Sequence, residues 1–198
     1  MVAQPPPRLV VGITGASGAV YGVRLLQRLQ ELPVETHLIV SRWARVTIEH
    51  ETDCSFADVK ALADVVHSEG DQAASISSGS FLTRGMIVVP CSTKTLAGIA
   101  TGFAYNLICR AADVILKERR PLVLAVRETP LNAVHIRNML TLAEMGATIF
   151  PPSPAFYHRP RDLDDVVDYS VLRMLDQFDL GPESPWRWRG LATSEVEP

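Results

Sequence analysis

The stretch Leu9-Val10-Val11-Gly12-Ile13-Thr14-Gly15-Ala16-Ser17-Gly18-Ala19-Val20-Tyr21-Gly22 decides the fold. An apolar run ends at Ile13, a turn punctuated by glycine follows, and a helical period opens near Val20 and carries on to about residue 32. A short apolar run without polar alternation is the signature of a strand buried on both faces, and such strands belong to parallel sheets covered by helices.

Outward from that unit the pattern repeats. Apolar runs at 36–40, 86–89, 122–126 and, shorter, 148–150 predict further strands. Between and after them, helical spacing predicts helices near 43–51, 58–66, 95–99, 106–118, 132–145 and 163–178. Strands alternating with helices give an α/β fold, a doubly wound parallel sheet with helices on both faces. The Ser- and Gly-rich segment 75–85 is expected to be a loop, and 151–160, punctuated by proline, a crossing before the last helix.

The 198 residues suit one domain over 1–198, with a core at about 8–180 and an irregular tail from 181. That tail, with Pro182, Pro185 and Trp186-Arg187-Trp188-Arg189, is expected to be disordered or packed on a neighbouring subunit. With 19 Lys and Arg against 22 Asp and Glu, the charge balance argues against nucleic acid as a partner. Cys54, Cys91 and Cys109 offer neither a CxxC pair nor an even count, so neither a disulfide framework nor a zinc site is expected. No leader-like segment and no apolar run approaching the ~20 residues of a membrane span occurs, so a cytoplasmic location is expected.

The turn after the first strand opens a helix, so its N–H groups and the helix dipole are placed to receive a phosphate. Its glycines, at 15, 18 and 22, fit neither GxGxxG nor GxxxxGK[ST]. A short-chain dehydrogenase would also want Tyr-x-x-x-Lys, and no tyrosine here has a lysine four residues on. A tight turn with no ligand remains the plain alternative.

Ligands of open α/β sheets gather beyond the carboxyl ends of the strands. Ser41 lies after the second predicted strand, the loop Pro90-Cys91-Ser92-Thr93-Lys94-Thr95 after the third, and Arg127 and Glu128 after the fourth. Ser92 and Thr95 are equally suited to be helix caps, and Cys91 to be a small buried hydrophobe. Arg110 and Lys117, seven apart on one helix, share a face that suits a phosphate, although Asp113 could pair with Lys117 instead. Asp164-Asp165-Val166-Val167-Asp168 matches the DDxxD that holds magnesium in isoprenyl diphosphate synthases. These acids fall in the first turns of the last helix, where the dipole favours them, and no second Asp-rich motif accompanies them; no metal site is expected.

Together the loops resemble one family. Thr14 to Ala19 with Tyr21-Gly22, Glu51-Thr52-Asp53, Ser78-Gly79-Ser80, Pro90-Cys91-Ser92 and Asn106-Leu107-Ile108 with Arg110 carry the resemblance. So do Leu116-Lys117-Glu118-Arg119-Arg120-Pro121, Arg127-Glu128-Thr129-Pro130 and Pro154-Ala155-Phe156-Tyr157-His158. The chain is similar to the UbiX flavin prenyltransferases, including paralogues named as components of aromatic-acid decarboxylases, and Lys94 leans toward that branch.

The resemblance implies a flavodoxin-like homo-oligomer, usually a dodecamer, that moves a dimethylallyl group from dimethylallyl phosphate to N5 and C6 of reduced FMN. The prenylated FMN serves a UbiD-type decarboxylase. By motif position, Gly15, Ala16, Ser17, Ser41, Ser92, Thr93, Lys94, Thr95 and Arg127 would bind FMN. Arg110, Lys117, Glu128, Tyr157 and Arg173 would surround the dimethylallyl phosphate, some from neighbouring subunits. Ser17 and Glu51 would lie near flavin N5, Lys117 would stabilise the departing phosphate, and Glu128, with Ser17 as relay, would manage protons.

Two other readings fit an FMN-binding α/β chain. One is an oxidative decarboxylase of a cysteine-derived thiol, which wants an early catalytic histidine that neither His37 nor His50 supplies in context. The other is a carrier or assembly subunit that delivers FMN without consuming a prenyl donor.

Overall fold

In the computed structural model, which describes residues 6–190, the chain forms a six-stranded, all-parallel sheet. Its strands are β1 (Arg8–Ile13), β2 (Glu35–Val40), β3 (Val65–His67), β4 (Gly85–Cys91), β5 (Leu122–Val126) and β6 (Thr148–Ile149), in the order β3-β2-β1-β4-β5-β6. Leaving out β3, the five remaining strands follow the 2-1-3-4-5 order of flavodoxin-like sheets. The direction of winding reverses between β1 and β4, which makes their carboxyl ends the expected ligand crevice.

Alternate strand residues feed two cores. Leu9, Val11, Ile13, Leu38, Ile87 and Val89 face α1 (Ala19–Leu29), α2 (Arg42–Glu51), α3 (Phe56–Ala61) and α7 (Leu163–Asp176). On the opposite side Val10, Ile39, Met86, Val88 and Leu124 face α4 (Thr93–Ala100) and α5 (Leu107–Lys117), with Leu142 of α6 (Ala133–Glu144). The helix α1 lies so close to β4 that a Cβ on Gly22 would sit 2.8 Å from the Val89 carbonyl oxygen, so this face of the helix has room only for glycine.

Two expectations need correction. The helix predicted near 58–66 ends at Ala61, and Val65–His67 instead forms the edge strand β3, paired with His37–Ile39. A capping box of Ser55 and Asp58 starts α3, Asp64 accepts the Thr36 N–H at 2.7 Å, and the β-branched Val65 and Val66 then favour extended backbone. The strand predicted at 86–89 runs on through Cys91, which is fully buried, and burial pushes its thiol pKa far up. That environment matches a small core hydrophobe.

The described part of the tail packs on its own chain. Arg187 grips Asp176 of α7 at 2.6 and 3.0 Å, and Trp188 meets the Tyr157 ring at 5.3 Å between centroids. Residues 191–198 of the expected tail lie outside the described residues.

The edge strand is also held through side chains. His37, 2% exposed, faces His67 with Nδ1 and Nε2 2.9 Å apart, and its Nε2 lies 2.8 Å from Glu35, which also pairs with Arg8. The two facing nitrogens share one proton. Burial and the charge of His37 push the pKa of His67 down, against the pull of Asp71. Because the folded value lies below the unfolded one, this group's contribution is complete above the ordinary histidine pKa and is lost as pH falls through it. Thermal midpoints are therefore expected to drop between pH 7.5 and 5.5, and to drop less for His67→Gln; equal slopes for both proteins would remove His67 from the acid sensitivity.

Candidate active site

A cleft of about 540 Å³ opens where the carboxyl ends of β1, β2 and β4 meet. This volume falls within the ~300–1,000 Å³ typical of cofactor and small-molecule sites. Five of the residues expected to bind FMN line it: Gly15, Ser41, Ser92, Lys94 and Thr95. Thr14 fixes the crevice, since its hydroxyl donates to the Pro90 carbonyl at 2.7 Å and accepts the Ser92 N–H at 2.8 Å, tying the end of β1 to the end of β4.

Both serines are helix caps as well as cleft residues. The Ser41 oxygen accepts from the Ala44 N–H at 3.2 Å, and the Ser92 oxygen from the Thr95 N–H at 3.3 Å. Capping uses their acceptors and leaves the Ser41 O–H free to donate into the cleft, whereas that of Ser92 points to Thr95 Oγ1 at 3.1 Å. Lys94 holds its ammonium 4.6 Å from the Tyr105 ring centroid, and burial pushes the Tyr105 phenol up to about 12, so it stays a hydrogen donor. Trp43, 67% exposed, offers an aromatic face at the mouth. Hydroxyls, an ammonium and exposed aromatic surface together suit a phosphorylated, polyhydroxylated aromatic ligand such as FMN.

The glycine turn does something other than expected. Its helix-facing N–H groups, of Gly18 and Ala19, are taken by Glu51 Oε2 at 2.7 and 2.9 Å, so a carboxylate from the end of α2 occupies the place assigned to a phosphate. The helix dipole rewards either anion, and this one is built in. Burial pushes the Glu51 pKa up, but the Ala19 and Gly18 N–H groups, the Ser17 hydroxyl and the charge of Arg127 outweigh it and hold the carboxyl below its usual range. An ionised Glu51 takes the Ser17 O–H as donor and leaves the Ser17 oxygen lone pairs as acceptors for a ligand.

The residues expected to surround the donor are not gathered in one chain. Asn106, the cap of α5, lines the cleft, whereas Lys117 ends the same helix about 16 Å along its axis. Lys117 lies there beside Gly79 and pairs with Glu118, near the start of β4. Arg110 pairs with Asp113 at 2.8 Å, so the alternative Asp113–Lys117 pair does not form. Glu128 is exposed beyond β5, its carboxylate accepting the Thr129 N–H at 3.0 Å. Tyr157 bonds the hydroxyl of Tyr169, and Arg173, paired with Asp176 at 2.9 Å, acts electrostatically on that same tyrosine. The DDxxD acids are engaged by arginines: Asp164 and Asp168 by Arg24, both at 2.8 Å, and Asp165 by Arg161, which holds its carboxyl at about 2.

Six cleft residues were not expected from the sequence as lining residues: Arg42, Trp43, Glu69, Gly70, Tyr105 and Asn106. Asn106 belongs to a motif that carries the family resemblance, while Glu69 follows the unrecognised strand β3 and carried no signal.

Residues 2–174 match the Flavoprotein family model. A probable UbiX-like flavin prenyltransferase from Streptomyces sp. (strain D7) is 63% identical over 190 residues, 96% of this chain and 95% of that one. The crystal structure of AnUbiX (PadA1) in complex with FMN and dimethylallyl pyrophosphate superposes with a TM-score of 0.91 at 55% identity, covering 94% of this chain and 100% of that one. A dodecameric FMN-dependent UbiX-like decarboxylase from Escherichia coli O157:H7 follows at 0.89 and 59%, covering 93% and 100%.

Proposed function

The chain belongs to the Flavoprotein family and, within it, to the UbiX-like flavin prenyltransferases, and from that premise we propose that it transfers a dimethylallyl group from dimethylallyl phosphate to reduced FMN. The cleft at the winding reversal carries this reading, because it sets Ser41, Ser92, Lys94 and Thr95 around one volume of flavin size.

Reduced FMN, when bound, supplies N5 and C6 as the prenyl acceptors. The protein's own contribution is electrostatic and positional. Lys117, Arg110 and Arg173 bring positive charge to the phosphate as the allylic carbon–oxygen bond ionises, and Tyr157 donates a hydrogen bond to it. Ser17, aligned by the ionised Glu51, stands at the turn beside the cleft. Glu128, exposed next to Arg127, is placed to move a proton.

The separation of Lys117 from the cleft argues that each complete site draws on more than one subunit. Exposed apolar side chains support assembly: Val134, Ile136, Leu140 and Met145 on or next to α6, with Phe156 at the crossing and Leu163 at the start of α7, form surface a neighbouring copy would cover. The dodecameric relative fits this arrangement. Among the described residues no helix is long and apolar enough to cross a membrane. In the function proposed, the enzyme works in the cytoplasm and hands prenylated FMN to a UbiD-type decarboxylase.

Anaerobic incubation with reduced FMN and dimethylallyl phosphate is expected to give a flavin heavier by one five-carbon unit, with a rate that EDTA leaves unchanged. An unmodified flavin, where a positive control reacts, overturns the assignment; magnesium dependence would return DDxxD to the mechanism.

A further inference from the structure

Glu69 lies in the cleft with no part in the chemistry above, and its polar contacts join one wall of the cleft to the other. Its Oε2 accepts the N–H of Arg42, the first residue of α2, at 2.7 Å. Its Oε1 accepts from Nδ2 of Asn106, the cap of α5, at 2.8 Å, and its backbone carbonyl accepts the Leu107 N–H at 2.8 Å. One residue thus bridges two helix N-termini, whose partial positive charges both favour a carboxylate between them. Neither partner can turn away: the Arg42 N–H is an orphan donor of its helix, and Asn106 commits Oδ1 to the Cys109 N–H at 3.0 Å, leaving only Nδ2 for Glu69. Glu69 itself is delivered by β3, whose last residue is held through the His37–His67 contact.

We propose that Glu69 is a positioning residue for the flavin, clamping the starts of α2 and α5 at the separation that lets Ser41 and Asn106 face one ligand together. The inference rests on the proposed function for the ligand's identity. Glu69 carries the α2–α5 geometry because no other described hydrogen bond links Arg42 or Ser41 to the start of α5.

The test uses the full chain and FMN titration, which needs no prenyl donor. Glu69→Gln retains one acceptor but turns an amide NH2 toward that of Asn106, so one contact is lost; FMN Kd is expected to rise about tenfold, as for loss of a hydrogen bond to a charged group. Adding Asn106→Asp restores a donor–acceptor pair while the second oxygen of the new carboxylate still caps α5, and Kd is expected to return toward the wild-type value. In turnover the loss should appear in the FMN concentration for half-maximal rate and leave the KM for dimethylallyl phosphate unmoved. An unchanged Kd for Glu69→Gln, a failure of the double variant to recover, or a parallel rise in donor KM with a lowered melting point overturns the clamp. A wild-type chain that binds FMN without alkylating it would overturn the proposed function and leave the clamp standing.

Discussion

Lys117→Ala is expected to lower formation of prenylated FMN by about 10²–10³-fold, the scale of losing one preorganised charge or donor at a developing anion, while the protein still retains FMN. Lys117 stands at the far end of α5, beside Gly79 and away from the cleft that Asn106 lines. In the shared site proposed above, its charge serves the phosphate bound at another copy's cleft. Mixing makes this sharper. Lys117→Ala and Arg127→Ala chains, each inactive alone, should regain activity when dissociated and reassembled together, because some sites then take an intact cleft from one chain and an intact lysine from the other. If the mixture stays inactive while controls reassemble, the shared site is wrong.

Gly15→Ala is expected to abolish flavin retention and to cost about 1–3 kcal/mol of stability, the usual range for overpacking. A Cβ there would lie 2.5 Å from Cβ of Trp43 and 3.2 Å from its carbonyl carbon. The obstructing atoms belong to the first turn of α2, so relief requires that helix to shift, and Ser41 moves with it. Flavin absorbance per chain, read beside a thermal melt, checks both parts. A variant that purifies with its full flavin complement would show that the turn yields without disturbing the cleft.

The sheet was legible because its strands are buried on both faces and so appear as unbroken apolar runs, each followed by a polar loop at the end where ligands gather. β3 escaped because Val65-Val66-His67 is too short to show a period and follows directly on a helical pattern. Glu69 escaped with it, since its importance comes from what stands opposite in space. For Glu51 the neighbourhood was expected but the bonding was not: nothing in local spacing shows that a carboxylate from the end of one helix reaches the start of another. Lys117 was readable as a phosphate ligand by motif, while its distance from the cleft depends on the direction in which α5 runs.

The carboxylate seated on α1 also bears on selectivity in a crowded cell. Sheets of this topology commonly receive the pyrophosphate of dinucleotides at that helix start. Here an incoming diphosphate would have to evict Glu51 and then lie against its negative charge. The start of α1 is thereby closed to a second anion, and whatever phosphate the crevice receives has to find its donors elsewhere along its walls.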